Sequence, residues 1–286
     1  MSRRDAGDPI RSRRRPTRPL KIASPAFSPP EGRNRETGVD ARLFLEEGRA
    51  LYTRGKTDEA IASWQRAIEL DPDLAEAWND LGNTDGDLGE LDRAVEAWYN
   101  LGFALSTRGN LEAAVDAYRH ASELAPADYE VWYNLGTACL DAGRYEEAVA
   151  AYRRSLAGYR EDHEVWNNLG NALAQLSRRA QAIVCYKQAL QLDPSYDVSW
   201  NNLGNVLDER GDLEAAVRAY GRAVTLAPTV ATYHLNRASV LAKLGSREPA
   251  IEHLAIAIRH SPDLSRLLPS FPEFSALLTD PRLGGG

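Results

Sequence analysis

A five-residue motif, Trp-x-x-Leu-Gly, returns along the chain at a nearly fixed step, and no other feature constrains the fold as strongly. It reads WNDLG at 78–82, WYNLG at 98–102 and 132–136, and WNNLG at 166–170 and 200–204. Weaker copies flank these, FLEEG at 44–48 and HLNRA at 234–238. The step is 34 residues everywhere except between Trp78 and Trp98, where it is 20. Self-similarity at such a period marks an array of stacked supersecondary units, each too small to bury its own apolar face.

Other positions keep the same register. A small residue follows 16 residues after each aromatic: Ala60, Ala94, Ala114, Ala148, Ala182, Ala216 and Ala250. Then come Trp64, Tyr118, Tyr152, Tyr186, Tyr220 or Leu254, and a further small residue. Most units close on proline, at Pro72, Pro126, Pro194, Pro228 and Pro262. Within a unit the apolar residues recur every three or four positions, as Trp166, Leu169, Leu173 and Leu176 do, so each half predicts a helix with one apolar face. Gly109, Gly143 and Gly211 stand where the first helix must stop, and the Asp-Pro and Ala-Pro pairs end the second.

The pattern resembles the tetratricopeptide repeat family over residues 41–264. That resemblance implies an all-α fold, a right-handed superhelical solenoid of helix hairpins, with units 41–74, 75–94, 95–128, 129–162, 163–196, 197–230 and 231–264. The segment 265–286 carries Leu267, Leu268, Phe271, Phe274, Leu277 and Leu278 and is expected to be a C-terminal cap and tail, its helix interrupted by Pro269 and Pro272.

Unit 75–94 is truncated, and Trp98 must serve it as well as the next unit. No breaker separates Asp92 from Arg108, which predicts one continuous helix of about 17 residues, roughly 26 Å long. A break or re-angling of the array is expected near 86–92, because Asp85, Gly86 and Asp87 stand where the family has an aromatic residue and its neighbours.

Charge divides unevenly. Residues 1–40 hold 10 Lys and Arg, 5 Asp and Glu and 6 of the 15 prolines, a net of +5. The remainder is left with −12 of a total of −7, which argues against nucleic acid as a partner of the array. Residues 1–40 cannot bury enough apolar surface to offset ordering and are expected to be a disordered basic tail. No apolar run spans a bilayer or forms a secretory signal. Cys139 and Cys185 form no disulfide framework or metal cluster and read as buried apolar residues in a reducing, cytoplasmic setting.

Candidate sites follow from one column. Two residues after each motif aromatic stands Asn100, Asn134, Asn168, Asn202 or Asn236, with Asn171 and Asn205 just after the motif glycine. The column is expected on the concave face, where each amide offers a donor and an acceptor to an extended peptide backbone. It resembles the asparagine ladder of O-linked N-acetylglucosamine transferases, which implies main-chain gripping of a peptide. The same residue type also suits the repeat itself. Glu130 and Glu164, with Glu76 and Glu96, make one side acidic, so a neutral or basic partner is expected.

No catalytic pattern survives inspection. GRALYTRGKT at 48–57 has the wrong glycine spacing for a phosphate loop, and the scattered histidines lack zinc-protease spacing. The reading is a non-catalytic protein-interaction scaffold without metal or cofactor. Its alternatives are a targeting or regulatory subunit of a partner enzyme such as a glycosyltransferase, and nucleic-acid binding through the basic tail.

Overall fold

The computed structural model describes residues 35–283, with side chains from Asp40 onward. The basic tail expected at 1–40 lies outside the described residues as far as residue 34, and residues 35–40 are helical rather than disordered. Among those described there are fourteen α-helices and no strand. The chain divides into two units, α1 to α7 up to Arg160 and α8 onward from Glu161.

In the first unit α1 (Arg35–Thr53) pairs with α2 (Thr57–Leu70), α4 (Leu91–Thr107) with α5 (Leu111–Leu124), and α6 (Tyr129–Asp141) with α7 (Tyr145–Gly158). α3 (Ala75–Leu88) packs on α2 and α4. In the second unit α8 (His163–Gln175) pairs with α9 (Arg179–Leu192), α10 (Asp197–Arg210) with α11 (Leu213–Leu226), and α12 (Ala231–Lys243) with α13 (Arg247–His260). α1 begins at Arg35 rather than at residue 41.

The motif letters explain the hairpins. Each motif glycine lies under the aromatic residue 16 positions later. A Cβ at Gly170 would sit 2.6 Å from Tyr186, one at Gly136 2.8 Å from Tyr152, and one at Gly204 2.6 Å from Tyr220. Only glycine lets the two helices approach over the ring. The turn between helices uses a left-handed residue, Gly109, Gly143 and Gly211 among them, with Ser177 (φ 59°) in the same place in unit 163–196. The closing prolines have a second use. Their carbonyls accept the indole N–H of the next unit's tryptophan, Trp78 to Pro72 and Trp132 to Pro126 at 2.9 Å, and Trp200 to Pro194 at 3.0 Å. His234 stands in for that tryptophan, its Nε2 donating to the Pro228 carbonyl at 3.0 Å. Its Nδ1 then accepts from His253 Nδ1 at 2.9 Å, and burial holds both rings below the usual imidazole range, His253 at about 4.

The truncated unit keeps its packing by sharing. α4 is a single helix of 17 residues. Its first half acts as a second helix for α3, since Trp98 covers Gly82, with a Cβ there 3.0 Å from the ring. Its second half acts as a first helix for α5, since Trp98 also stacks on His120 at 4.5 Å, as Trp132 and Trp200 meet Arg154 and Arg222. The break expected near 86–92 is not where the chain divides. The division falls at 160/161, the one full-length unit boundary whose closing proline is missing, with Arg160 in its place.

The C-terminal cap is a four-residue helix, α14 (Leu264–Leu267), followed by 3-10 turns at Leu268–Ser270 and Pro272–Phe274. Leu268, Phe274, Leu277 and Leu283 are buried against Ile251 and Leu254, covering the apolar face of α13. Among the described residues no helix is long and apolar enough to cross a membrane.

Candidate functional site

The asparagine column starts at the helix ends that carry it. Asp128 caps α6, accepting from the backbone N–H of Glu130 (2.9 Å) and Val131 (3.3 Å). Asp162 does the same for α8 with Glu164 and Val165. These caps satisfy N–H groups that the helix leaves orphaned. Glu130 and Glu164 thus stand in first turns, where the helix dipole favours a negative charge whether or not a ligand is present.

One turn further on, the asparagines are more enclosed than an open ladder requires. Asn134, Asn168 and Asn202 are buried, only 3%, 6% and 2% exposed, while Asn100 and Asn236 are half-buried. In the first unit Asn134 Nδ2 donates to Tyr99 Oη (2.8 Å) and to the Glu130 carbonyl (2.9 Å). In the second, Asn202 Nδ2 donates to Asn167 Oδ1 (3.2 Å) and Asn171 Oδ1 (3.0 Å). Asn171 also accepts from Tyr186 Oη at 2.8 Å, and Asn167 from Ser199 Oγ at 2.9 Å. One unit later the node repeats. Asn236 Nδ2 donates to Asn201 and Asn205, at 3.0 and 3.4 Å, and Asn205 accepts from Tyr220 Oη at 2.8 Å. Burial pushes the Tyr99, Tyr186 and Tyr220 hydroxyls well above their ordinary pKa, so they remain protonated at any physiological pH.

The difference from expectation is physical. An amide donor two residues after the motif aromatic reaches the preceding unit, so it is used for holding neighbours together. The acceptors are not all used. Asn134 Oδ1 and Asn202 Oδ1 are buried and have no hydrogen-bond partner among the described residues. The column therefore has spare acceptors where sequence reasoning expected both kinds of group.

Asn167, Asn201 and Tyr99, one residue before the column, were not singled out by sequence reasoning. The recurring separations of 35 and 31 residues between bonded asparagines were the available signal. Among the described residues no group of three or more His, Cys, Asp and Glu side chains could hold a metal ion. Cys139 and Cys185 are free and buried, and burial pushes the Cys139 thiol up to about 11.

The fold places the chain among known proteins. Residues 23–261 match the family of the cilia and flagella-associated protein 70 C-terminal domain, a tetratricopeptide repeat family. The chain belongs to that family. No curated protein sequence matches it. Its structure is similar to the crystal structure of the MamA protein, with a TM-score of 0.56 and 21% identity, covering 62% of this chain and 96% of that one. It is similar to YrrB, a TPR protein with an unusual peptide-binding site, with a TM-score of 0.52 and 23% identity over 72% of this chain and 96% of that one. For pilF of Pseudomonas aeruginosa the TM-score is 0.53 and the identity 20%, over 85% and 98% of the two chains. At these identities the likeness shows the repeat fold alone. That fold is consistent with a protein-interaction scaffold.

Proposed function

We propose that the chain is a non-catalytic scaffold that binds an extended, neutral or basic peptide along the asparagine-bearing face of its units. The reading rests on the two unpaired amide carbonyls, Asn134 Oδ1 in the first unit and Asn202 Oδ1 in the second. A buried acceptor without a partner carries a desolvation cost of about 1–3 kcal/mol, which a peptide N–H removes once the amide turns toward the face. Because the Asn134, Asn202 and Asn236 donors are consumed within their units, the bound segment supplies donors there. That agrees with a neutral or basic partner, as do Glu130 and Glu164 at the start of the same helices.

Such a site has no catalytic group, metal or cofactor, and chemistry in the complex would be the partner's. A regulatory subunit of an enzyme such as a glycosyltransferase uses the same surface. No observation favours that reading over a plain scaffold.

The test uses two sets of variants of the full chain and a partner captured by pull-down. Glu130→Lys with Glu164→Lys is expected to weaken binding about tenfold with helicity unchanged. Replacing Asn134, Asn168 and Asn202 by Ala should abolish binding while circular dichroism keeps its helical signal. Unchanged binding by both sets would reject the reading.

A further inference from the structure

The last repeat departs from the motif at His234, Arg237 and Ala238, and Arg237 alone puts a permanent charge in an apolar column. Where earlier copies have Leu135, Leu169 and Leu203, it has Arg237. A guanidinium in a leucine column has to be paired or reach water. Arg237 is half-buried, its Nε has no hydrogen-bond partner, and no ion pair reaches it among the described residues. The neighbouring helix makes room for it. Gly221 stands where the preceding units have Lys187, Arg153 and Arg119, and a Cβ there would lie 3.4 Å from Arg237 Cζ.

Around Arg237 opens a cleft of about 780 Å³ between α9, α10, α11 and α12. Trp200, Leu203 and Leu207 supply apolar wall, and no carboxylate lines it. Four further cations do, Lys187, Arg210, Arg218 and Arg222. Arg210 is held by Asp212, and the Arg222 guanidinium lies 5.7 Å from the centre of the Trp200 ring. Lys187, Arg218 and Arg222 are exposed and carry no ion pair among the described residues. In a chain of net charge −7, so many uncompensated cations around one apolar cleft call for an anion with an apolar part.

We propose that this cleft is a second docking site, which takes an acidic peptide segment of a partner protein with an aliphatic or aromatic side chain seated against Trp200. The charge of the rim selects the acidic residues and the wall takes the apolar one. The cleft is far larger than a phosphate ion and much of its wall is apolar, which suits a segment with both kinds of side chain. None of the column asparagines lines it. The site is thus separate from the asparagine-bearing face, and of opposite sign to the peptide preferred there.

The experiment measures fluorescence anisotropy of a short labelled peptide of Glu, Asp and two Leu, titrated with the full chain. Binding is expected at low ionic strength, weakening steeply as salt is added. Arg218→Glu with Arg222→Glu, both on exposed positions, should lower affinity at least tenfold. Arg237→Leu, which restores the motif residue, should also lower affinity while leaving thermal stability equal or higher, a combination that loss of fold cannot give. Asn202→Ala should leave this binding unchanged, so failure here and failure of the other face are told apart. The proposal is overturned by equal binding of a peptide with Lys for every acid. It is equally overturned if both arginine variants keep wild-type affinity, or if inorganic phosphate or a single-stranded oligonucleotide binds and the acidic peptide does not.

Discussion

The truncated repeat at α3–α4 and the intact repeats at α8–α11 obey one packing rule and differ in their polar interior. In both, a motif glycine lies beneath an aromatic ring, Gly82 under Trp98 and Gly170 under Tyr186. In both, the motif tryptophan meets a side chain 22 residues later. Around α8–α11, asparagines join one unit to the next through shared acceptors. At α3 the column that elsewhere holds Leu173 and Leu207 carries Asp85, fully buried and with neither oxygen hydrogen-bonded. Its compensation is an ion pair to Arg93 at 3.2 Å, and burial raises the carboxyl pKa, as it does for Glu96 nearby. Apolar packing thus survives the loss of 14 residues because one ring can cover two neighbours. A hydrogen-bond network cannot be shared in that way, since each donor serves only the acceptors within its reach.

The comparison breaks first at Trp98. Because that ring serves two hairpins and is 8% exposed, Trp98→Ala should cost about 3–5 kcal/mol in urea unfolding. The half-exposed Trp132 serves one, and its replacement should cost about 1–3 kcal/mol. Equal costs would show that α4 is not shared. Next is Asp85→Leu, which returns the column to its usual residue and should stabilise by about 1–3 kcal/mol at neutral pH. Asp85 has a raised folded pKa, so the folded state holds its proton to higher pH than the unfolded state. Wild-type stability from this group is present below the unfolded pKa and lost as pH rises through the folded one. The gain from the substitution should therefore shrink as pH falls into the carboxylate range. A gain that grows on acidification contradicts the assignment.

Asn202→Ala removes both donors to Asn167 and Asn171 and should cost about 1–2 kcal/mol, against less than about 0.5 kcal/mol for the half-buried Asn100 of the shared helix. Similar values at the two sites would mean that the asparagine network does not distinguish the two regions. The last test is at Ser177, a non-glycine residue held at positive φ in a turn that is glycine elsewhere. Ser177→Gly should raise stability by about 1 kcal/mol, measured as a higher melting temperature.

Much of the fold is legible in the residues because its rules are local. Helix faces follow from spacings of three and four, the turns from the glycines, and the long α4 from the lack of any breaker between Asp92 and Arg108. The end of the first unit was not read from the sequence, although Arg160 stands there in the place of a closing proline. The candidate site was half legible. The column of asparagines could be read off, while its burial and the direction of its donors could not, because each amide's partner lies 31 or 35 residues away on another hairpin.

The sequence by itself determined the repeat, its period and the place where the period fails, since each is carried by contacts within a turn of helix or one hairpin. Only the tertiary structure decided what the polar residues do. It committed the donors of Asn134, Asn202 and Asn236 to the preceding repeats, left two of the asparagine carbonyls and Arg237 without partners among the described residues, and gathered cations from four helices around Trp200. The reason is that a hydrogen bond or a charge is satisfied by whatever the stacked units bring within about 3 Å of it, and a periodic sequence does not state those distances.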